Sequence, residues 1–149
     1  MNAHLEAFDS NQANDTNKDT QVGNGEIRQV QAQELVGSGG PAGGKLPVIL
    51  LGDMNSDVKT EVKTGDGLAY RALLDAKFVE RATNKTGCCL NASLLTGGSP
   101  KDFDHKVDHV MTNAPKKVTL VSSALTGTKK VSGFWPSDHQ GVVTNLRLK

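Results

Sequence analysis

The apolar positions of this chain fall into a few short runs separated by long polar stretches. The first stretch, "NAHLEAF", has the mixed character of a short strand. Residues 9–26 ("DSNQANDTNKDTQVGNGE") are polar, rich in Asn, Asp and Thr, and read as an exposed loop. "EIRQVQAQELV" (26–36) consists of good helix formers with a broad, poorly defined apolar face. "GSGGPAGG" ends it as a flexible connector, with no Lys-Ser/Thr pair or following helix that would make it a phosphate cradle. Pro47 then opens an unbroken apolar run, Val48 to Leu51, which stops at "GDMNSD". In "GDGLAYRALLDAKF", Ala69, Ala72, Leu73 and Ala76 recur at helical spacing. Three further strands follow in "HKVDHVM", "KKVTLVSSAL" and "GVVTNLRL". The last alternates, with Val142, Leu146 and Leu148 on one face and Val143, Asn145 and Arg147 on the other. Strand, helix, strand, helix and then strands predict an α/β (α+β) layered architecture, a mixed sheet with helices on one face.

Length and composition bound this picture without changing it. The 149 residues make one domain or a large piece of one, and no apolar run approaches a membrane span. Seventeen basic and 16 acidic residues leave a formal charge of +1, which argues against a dedicated electrostatic nucleic-acid binder. "MNAHLEAFDSN" lacks the basic and then apolar order of a signal peptide. The compartment stays open, since any such segment would lie upstream of Met1. The only cysteines, Cys88 and Cys89, are adjacent; two reduced thiols, one of them packed inside, are expected. The triplets "NDT", "NKT" and "NAS" match a glycosylation acceptor but mean nothing without a secretory context.

Four short polar pieces carry candidate chemistry. Asp53 and Asn55 end a buried strand, where polar groups are costly unless solvent or a ligand meets them. Asp108 alternates with Val110 on one strand face, and a half-buried carboxylate there needs a partner such as a histidine. Asp138 and His139 stand just before the last strand, and Asn2 and His4 open the chain.

Taken in order, Asn2-Ala3-His4-Leu5, Gly52-Asp53-Met54-Asn55, Val107-Asp108-His109 and Ser137-Asp138-His139 resemble the late motifs of the endonuclease/exonuclease/phosphatase superfamily. That family includes deoxyribonucleases, apurinic endonucleases, sphingomyelinases and inositol phosphatases. The resemblance runs from Asn2 to Leu148 and covers only the C-terminal half of the family's four-layer α/β-sandwich hydrolase domain. Residues 1–149 are accordingly expected to be a partial domain. The half that carries a strand-end Asn and the principal magnesium-binding Glu has no counterpart in the chain. An inner sheet face without its partner should leave apolar surface exposed.

The resemblance implies a metal-dependent phosphoester, in particular phosphodiester, hydrolase in which water attacks phosphorus. Asp53 would orient or deprotonate that water, Asn55 would meet a phosphoryl oxygen or lie near the metal, and Gly52 would let the backbone approach. His139 would contact the phosphate or act as acid/base, Asp108 would hold its ring, and His4 would bracket the phosphate from the other side. Asp138, with Asp53 and Asn55 as further candidates, would bind Mg2+, with Mn2+ or Ca2+ as alternatives. His109 stays outside this set. His105 with Asp102 and Asp104 fits a solvated loop as well as a substrate contact, and Phe134 and Trp135 are expected to pack the loop that carries Asp138. The substrate would be a phosphoester, with nucleic acid one candidate. The alternatives are a lipid or inositol phosphate phosphatase, or a catalytically incompetent half-domain without the main metal ligand. Nothing in the sequence marks an oligomeric state.

Overall fold

The structure is a computed structural model and describes residues 1–6, 24–57, 67–90 and 94–149. Most of the polar loop 9–26, and the "NDT" and "NAS" triplets, lie outside the described residues. The elements run α1 (Asn24–Val36), β1 (Ile49–Asp53), α2 (Leu68–Asp75), β2 (Val79–Glu80), α3 (Leu94–Gly97), β3 (Asp108–Thr112), β4 (Val118–Thr126) and β5 (Gly141–Leu148). No helix among the described residues is long and apolar enough to cross a membrane.

β1 links the chain start to the rest of the sheet, and its residues Ile49, Leu50 and Leu51 are apolar and uncharged until Gly52. It pairs antiparallel with β3, and β3 pairs antiparallel with β2. Along its other edge the chain start runs parallel to it: the Ala3 N–H donates to the Leu51 carbonyl (3.0 Å) and the Leu5 N–H to the Asp53 carbonyl (3.1 Å). The sheet is therefore mixed, as the pattern predicted. Leu50 and Met111, neighbours across the β1–β3 pair, face the helices. They share a core with Leu5, Ala32, Met54, Ala69, Ala72, Leu73 and Phe78. The predicted helical stripe of α2 supplies Ala69, Ala72 and Leu73 to that core, while Ile27 and Val30 of α1 stay exposed, as its indistinct face implied. On the sheet's other face Leu51 and Val79 remain 42% and 38% exposed.

Three local expectations need correction. "GSGGPAGG" is not a loose connector. It turns back so that the Ala42 N–H reaches the Leu35 carbonyl (2.9 Å), and Ala42 is buried in the core against the end of α1. β3 begins at Asp108 rather than His105, because His105 and Lys106 bond elsewhere, to the Cys88 carbonyl (2.6 Å) and to Asp57 (3.3 Å). The sulfurs of Cys88 and Cys89 are joined as a disulfide, where two thiols were expected; Cys88 is buried and Cys89 exposed.

β4 and β5 form a separate antiparallel pair that touches β3 through β5. The half-buried face of β5 carries Val142, Thr144 and Leu146, and its exposed face Val143, Asn145 and Arg147, so the read alternation holds as far as Leu146. Leu148, at the end of the strand, is exposed. The loop between β4 and β5 is anchored by a second small core. Trp135 packs edge-on against Phe103, with centroids 5.0 Å apart, and donates its indole N–H to the Gly98 carbonyl (2.9 Å). Phe134, expected to pack with it, is instead exposed.

Candidate active site

Strand register assembles the candidate chemistry. Asp53 and Asp108 are paired directly across β1 and β3 and so share the face turned away from the helices. The Trp135 anchor holds the 127–140 loop beside them, and His139 Nδ1–H donates to Asp108 Oδ2 at 2.8 Å. The other ring nitrogen, Nε2, stands 3.9 Å from Asp53 Oδ2. From the parallel edge, His4 Nε2 approaches the same Asp53 oxygen to 3.7 Å, with its ring largely exposed. Asp53 Oδ2 thus sits between two imidazoles drawn from opposite ends of the sequence.

Gly52 is what lets the first residues lie there. A Cβ at position 52 would overlap the Ala3 carbonyl oxygen and meet Asn2 Oδ1 at 2.9 Å. Asn55 takes a positive φ of 46°, a conformation that Asn tolerates better than most residues. Its N–H returns to Asp53 Oδ1 (2.8 Å), and its side-chain amide donates to the Leu5 carbonyl (3.1 Å). Asn55 therefore orients Asp53 and fastens the chain start. The Asp-x-Asn spacing is what such a local turn requires.

The surroundings of His139 shift its titration upward. Its hydrogen bond with Asp108 raises its pKa above the ordinary value; partial burial opposes this, and the charges of Asp108, Asp53 and Asp138 add to the rise. Asp138 itself points outward. Its carboxylate is exposed and takes the Ser137 hydroxyl (3.1 Å), while its carbonyl accepts the Leu90 N–H (2.9 Å). Among the described residues, Asp53, Asp108 and His139 form one group able to converge on an ion, and Asp138 is not part of it.

Several other groups fall away from this centre. His109 is buried on the helix side of the sheet, stacked on Tyr70. Its Nδ1 hydrogen-bonds Glu80 (2.6 Å) and its Nε2 the Ser56 carbonyl (3.0 Å). His105 pairs with Asp57 (2.8 Å), and Asp102 caps the short turn at Ser99 (2.6 Å). An open groove of about 700 Å³ lies at the far end of β1 and β3, by Leu46, Pro47 and Asn113. It holds none of the motif residues. Sequence reading missed Cys88, whose Sγ lies 3.3 Å from His139 Nε2. No spacing or periodicity in "TGCCL" signals that approach.

No family model matches the chain, and no curated protein matches it. Solved structures do, at the level of fold. A conserved protein of unknown function from Enterococcus faecalis V583 is 18% identical with a TM-score of 0.62; the match covers 99% of this chain and 49% of that one. A mannosyl-6-phosphatase from Bacteroides thetaiotaomicron VPI-5482 is 19% identical with a TM-score of 0.53, over 97% and 49% of the two chains. An endonuclease/exonuclease/phosphatase family protein from Leptotrichia buccalis C-1013-b is 18% identical with a TM-score of 0.50, over 83% and 42%. The chain spans about half the length of each of these three structures.

Proposed function

We propose that this chain, whose fold is that of about one half of an endonuclease/exonuclease/phosphatase domain, carries the acid/base half of a metal-dependent phosphoester hydrolase. One observation bears most of the weight. His4, Asp53, Asp108 and His139 come from four separated stretches, yet their side chains meet at one end of one sheet face.

In this reading Asp53 Oδ2 accepts a proton from the attacking water, with Asn55 fixing the carboxylate's other oxygen. Asp108 holds the His139 ring so that Nε2 faces the phosphoryl group, and the hydrogen bond to Asp108 raises the ring's pKa, which favours the form that can donate to it. His4 approaches from the other side with room to move. The residues present fit a hard divalent cation in part: Asp53 offers one carboxylate oxygen, whereas Asp108 Oδ2 is committed to His139 and the exposed Asp138 carboxylate lies outside the convergent group. A bound Mg2+, or Mn2+ or Ca2+ in its place, would supply charge stabilisation to the phosphoryl and leaving oxygens.

The test is hydrolysis of an activated phosphodiester such as bis(p-nitrophenyl) phosphate by the full chain, with and without Mg2+. Asp53→Asn and His139→Asn should each lower the rate by about 100-fold or more. Mg2+ should also raise the melting temperature of the wild type more than that of Asp53→Asn. Activity that survives both substitutions would defeat the assignment.

A second reading starts from the 49% coverage of the Enterococcus structure: a half-domain that is inert alone. It predicts neither hydrolysis nor stabilisation by Mg2+. Within the hydrolase reading, a nuclease should lose substrate binding steeply as salt rises. A phosphatase acting on small, lipid or inositol phosphates should not. The formal charge of +1 favours the latter.

A further inference from the structure

The groove at the end of the sheet away from Asp53 has a volume of about 700 Å³, within the size range of small-molecule sites. Its walls are fastened. Asn113 Oδ1 accepts the Val48 N–H (2.7 Å) and Asn113 Nδ2–H donates to the Leu46 carbonyl (3.1 Å), which ties the segment before β1 to the turn after β3. The third side is the end of α2, where the Lys77 N–H donates to the Leu74 carbonyl (2.9 Å) and the Phe78 N–H to the Leu73 carbonyl (3.0 Å). That pair of bonds closes a helix around a left-handed residue, most often glycine. Here the residue is Lys77, at a φ of 68°, where a side chain is disfavoured. A lysine held in such a conformation points to a use for its charge outside the helix.

The lining is apolar except for Asn113 and four lysines, Lys45, Lys77, Lys116 and Lys117, and it contains no acid. Among the described residues, none of these four ammonium groups is in an ion pair. Phe78 is buried beneath the groove, whereas Leu46 on its wall is 77% exposed.

We propose that this groove binds one molecule of a single-chain anionic amphiphile, a monomeric fatty acid in the simplest case. The alkyl chain lies on the apolar lining and removes Leu46 from water, and the carboxylate meets the lysines around it. Charge complementarity selects the anion, since four cations without an acid would leave a neutral chain or a cationic one less favoured. The concave shape selects a single molecule, because a bilayer would touch only the rim. The groove lies at the opposite end of β1 from Asp53, so binding does not depend on the hydrolase reading.

The experiment titrates cis-parinaric acid, a fatty acid that fluoresces in apolar surroundings, into the full chain at concentrations below micelle formation. Emission should saturate with one probe bound per chain. Dodecanoate should displace the probe about tenfold more effectively than dodecanol, the neutral alcohol of equal chain length, and added salt should erode that advantage. Two variants separate binding from folding. Lys77→Gly relieves the positive φ and so keeps its Tm, yet should bind dodecanoate about threefold more weakly. Leu46→Asp alters an exposed side chain and places an anion in the groove, and should weaken binding by about tenfold or more. The proposal is overturned if dodecanol competes as well as dodecanoate. It is also overturned if Leu46→Asp binds the probe as the wild type does, which would move binding to another apolar surface. Phosphatidylserine vesicles that capture the chain, with no displacement of the probe by dodecanoate, would overturn it in favour of a membrane surface.

Discussion

Replacing Asp108 by Asn isolates the link between strand register and proton chemistry. The amide keeps the shape of the carboxylate and can still accept from His139 Nδ1–H, so the bond at 2.8 Å loses its charge assistance but not its geometry. Hydrogen bonds to charged groups contribute about 1.5–3 kcal/mol and neutral ones about 0.5–1.5. The difference is about 1–1.5 kcal/mol. The two side chains are 28% and 26% exposed, so solvent screening places the effect near the lower figure, about 1 kcal/mol. For a chain of this length that is a loss of about 2–4 °C in Tm. The pH dependence has a definite sign. Because the His139 pKa is raised on folding, its contribution is fully present below the unfolded histidine value of about 6.5 and is lost as pH rises through the folded value. The Tm gap between wild type and Asp108→Asn should therefore be largest near about pH 5–6 and close at alkaline pH. An NMR titration of the His139 ring should place its midpoint lower in the variant. Equal Tm losses at pH 6 and pH 9, or an unmoved midpoint, would refute the charge-assisted pair.

Two further outcomes follow from the same geometry. Gly52→Ala puts a methyl group onto the Ala3 carbonyl, so residues 1–5 should lift from β1 and take His4 with them; hydrogen exchange at Ala3 and Leu5 should accelerate by about 10-fold or more while the α2 amides stay protected. Glu80→Gln leaves Lys106 buried without its counter-charge and weakens the bond to His109, and should cost about 3 kcal/mol in chemical denaturation near neutral pH. Burial pushes the Glu80 carboxyl up, but its hydrogen bond and charge attraction with His109, and then Lys106, outweigh this and hold its pKa below the ordinary value. That stabilisation is present above the unfolded value of 4.5 and lost as pH falls through the folded one. The gap between wild type and Glu80→Gln should therefore shrink in acid, and a gap that widened there would contradict the assignment.

How much of this was legible in the sequence depended on whether a feature is local. The end of β1 at Asp53 could be read because an apolar run stops there, and α2 because Ala69, Ala72 and Leu73 keep helical period. The ion pair between Glu80 and His109 could not. It joins a two-residue strand, too short for any period, to a strand 29 residues away. The approach of Cys88 to His139 was equally hidden, since it rests on backbone bonds between two irregular loops.

The choice between Asp108 and His109 shows where pattern and fold meet. Alternation alone puts these neighbours on opposite faces of β3 without saying which face holds the chemistry. The pairing of Asp53 with Asp108 decides it: Leu50 and Met111 must both point at the helices, which sends Asp53 and Asp108 together to the other side. A slip of one residue would bury Asp108 against α2 and present His109 to Asp53. The core contact between Leu50 and Met111 is therefore also what aims the Asp108–His139 pair, although neither apolar residue touches it.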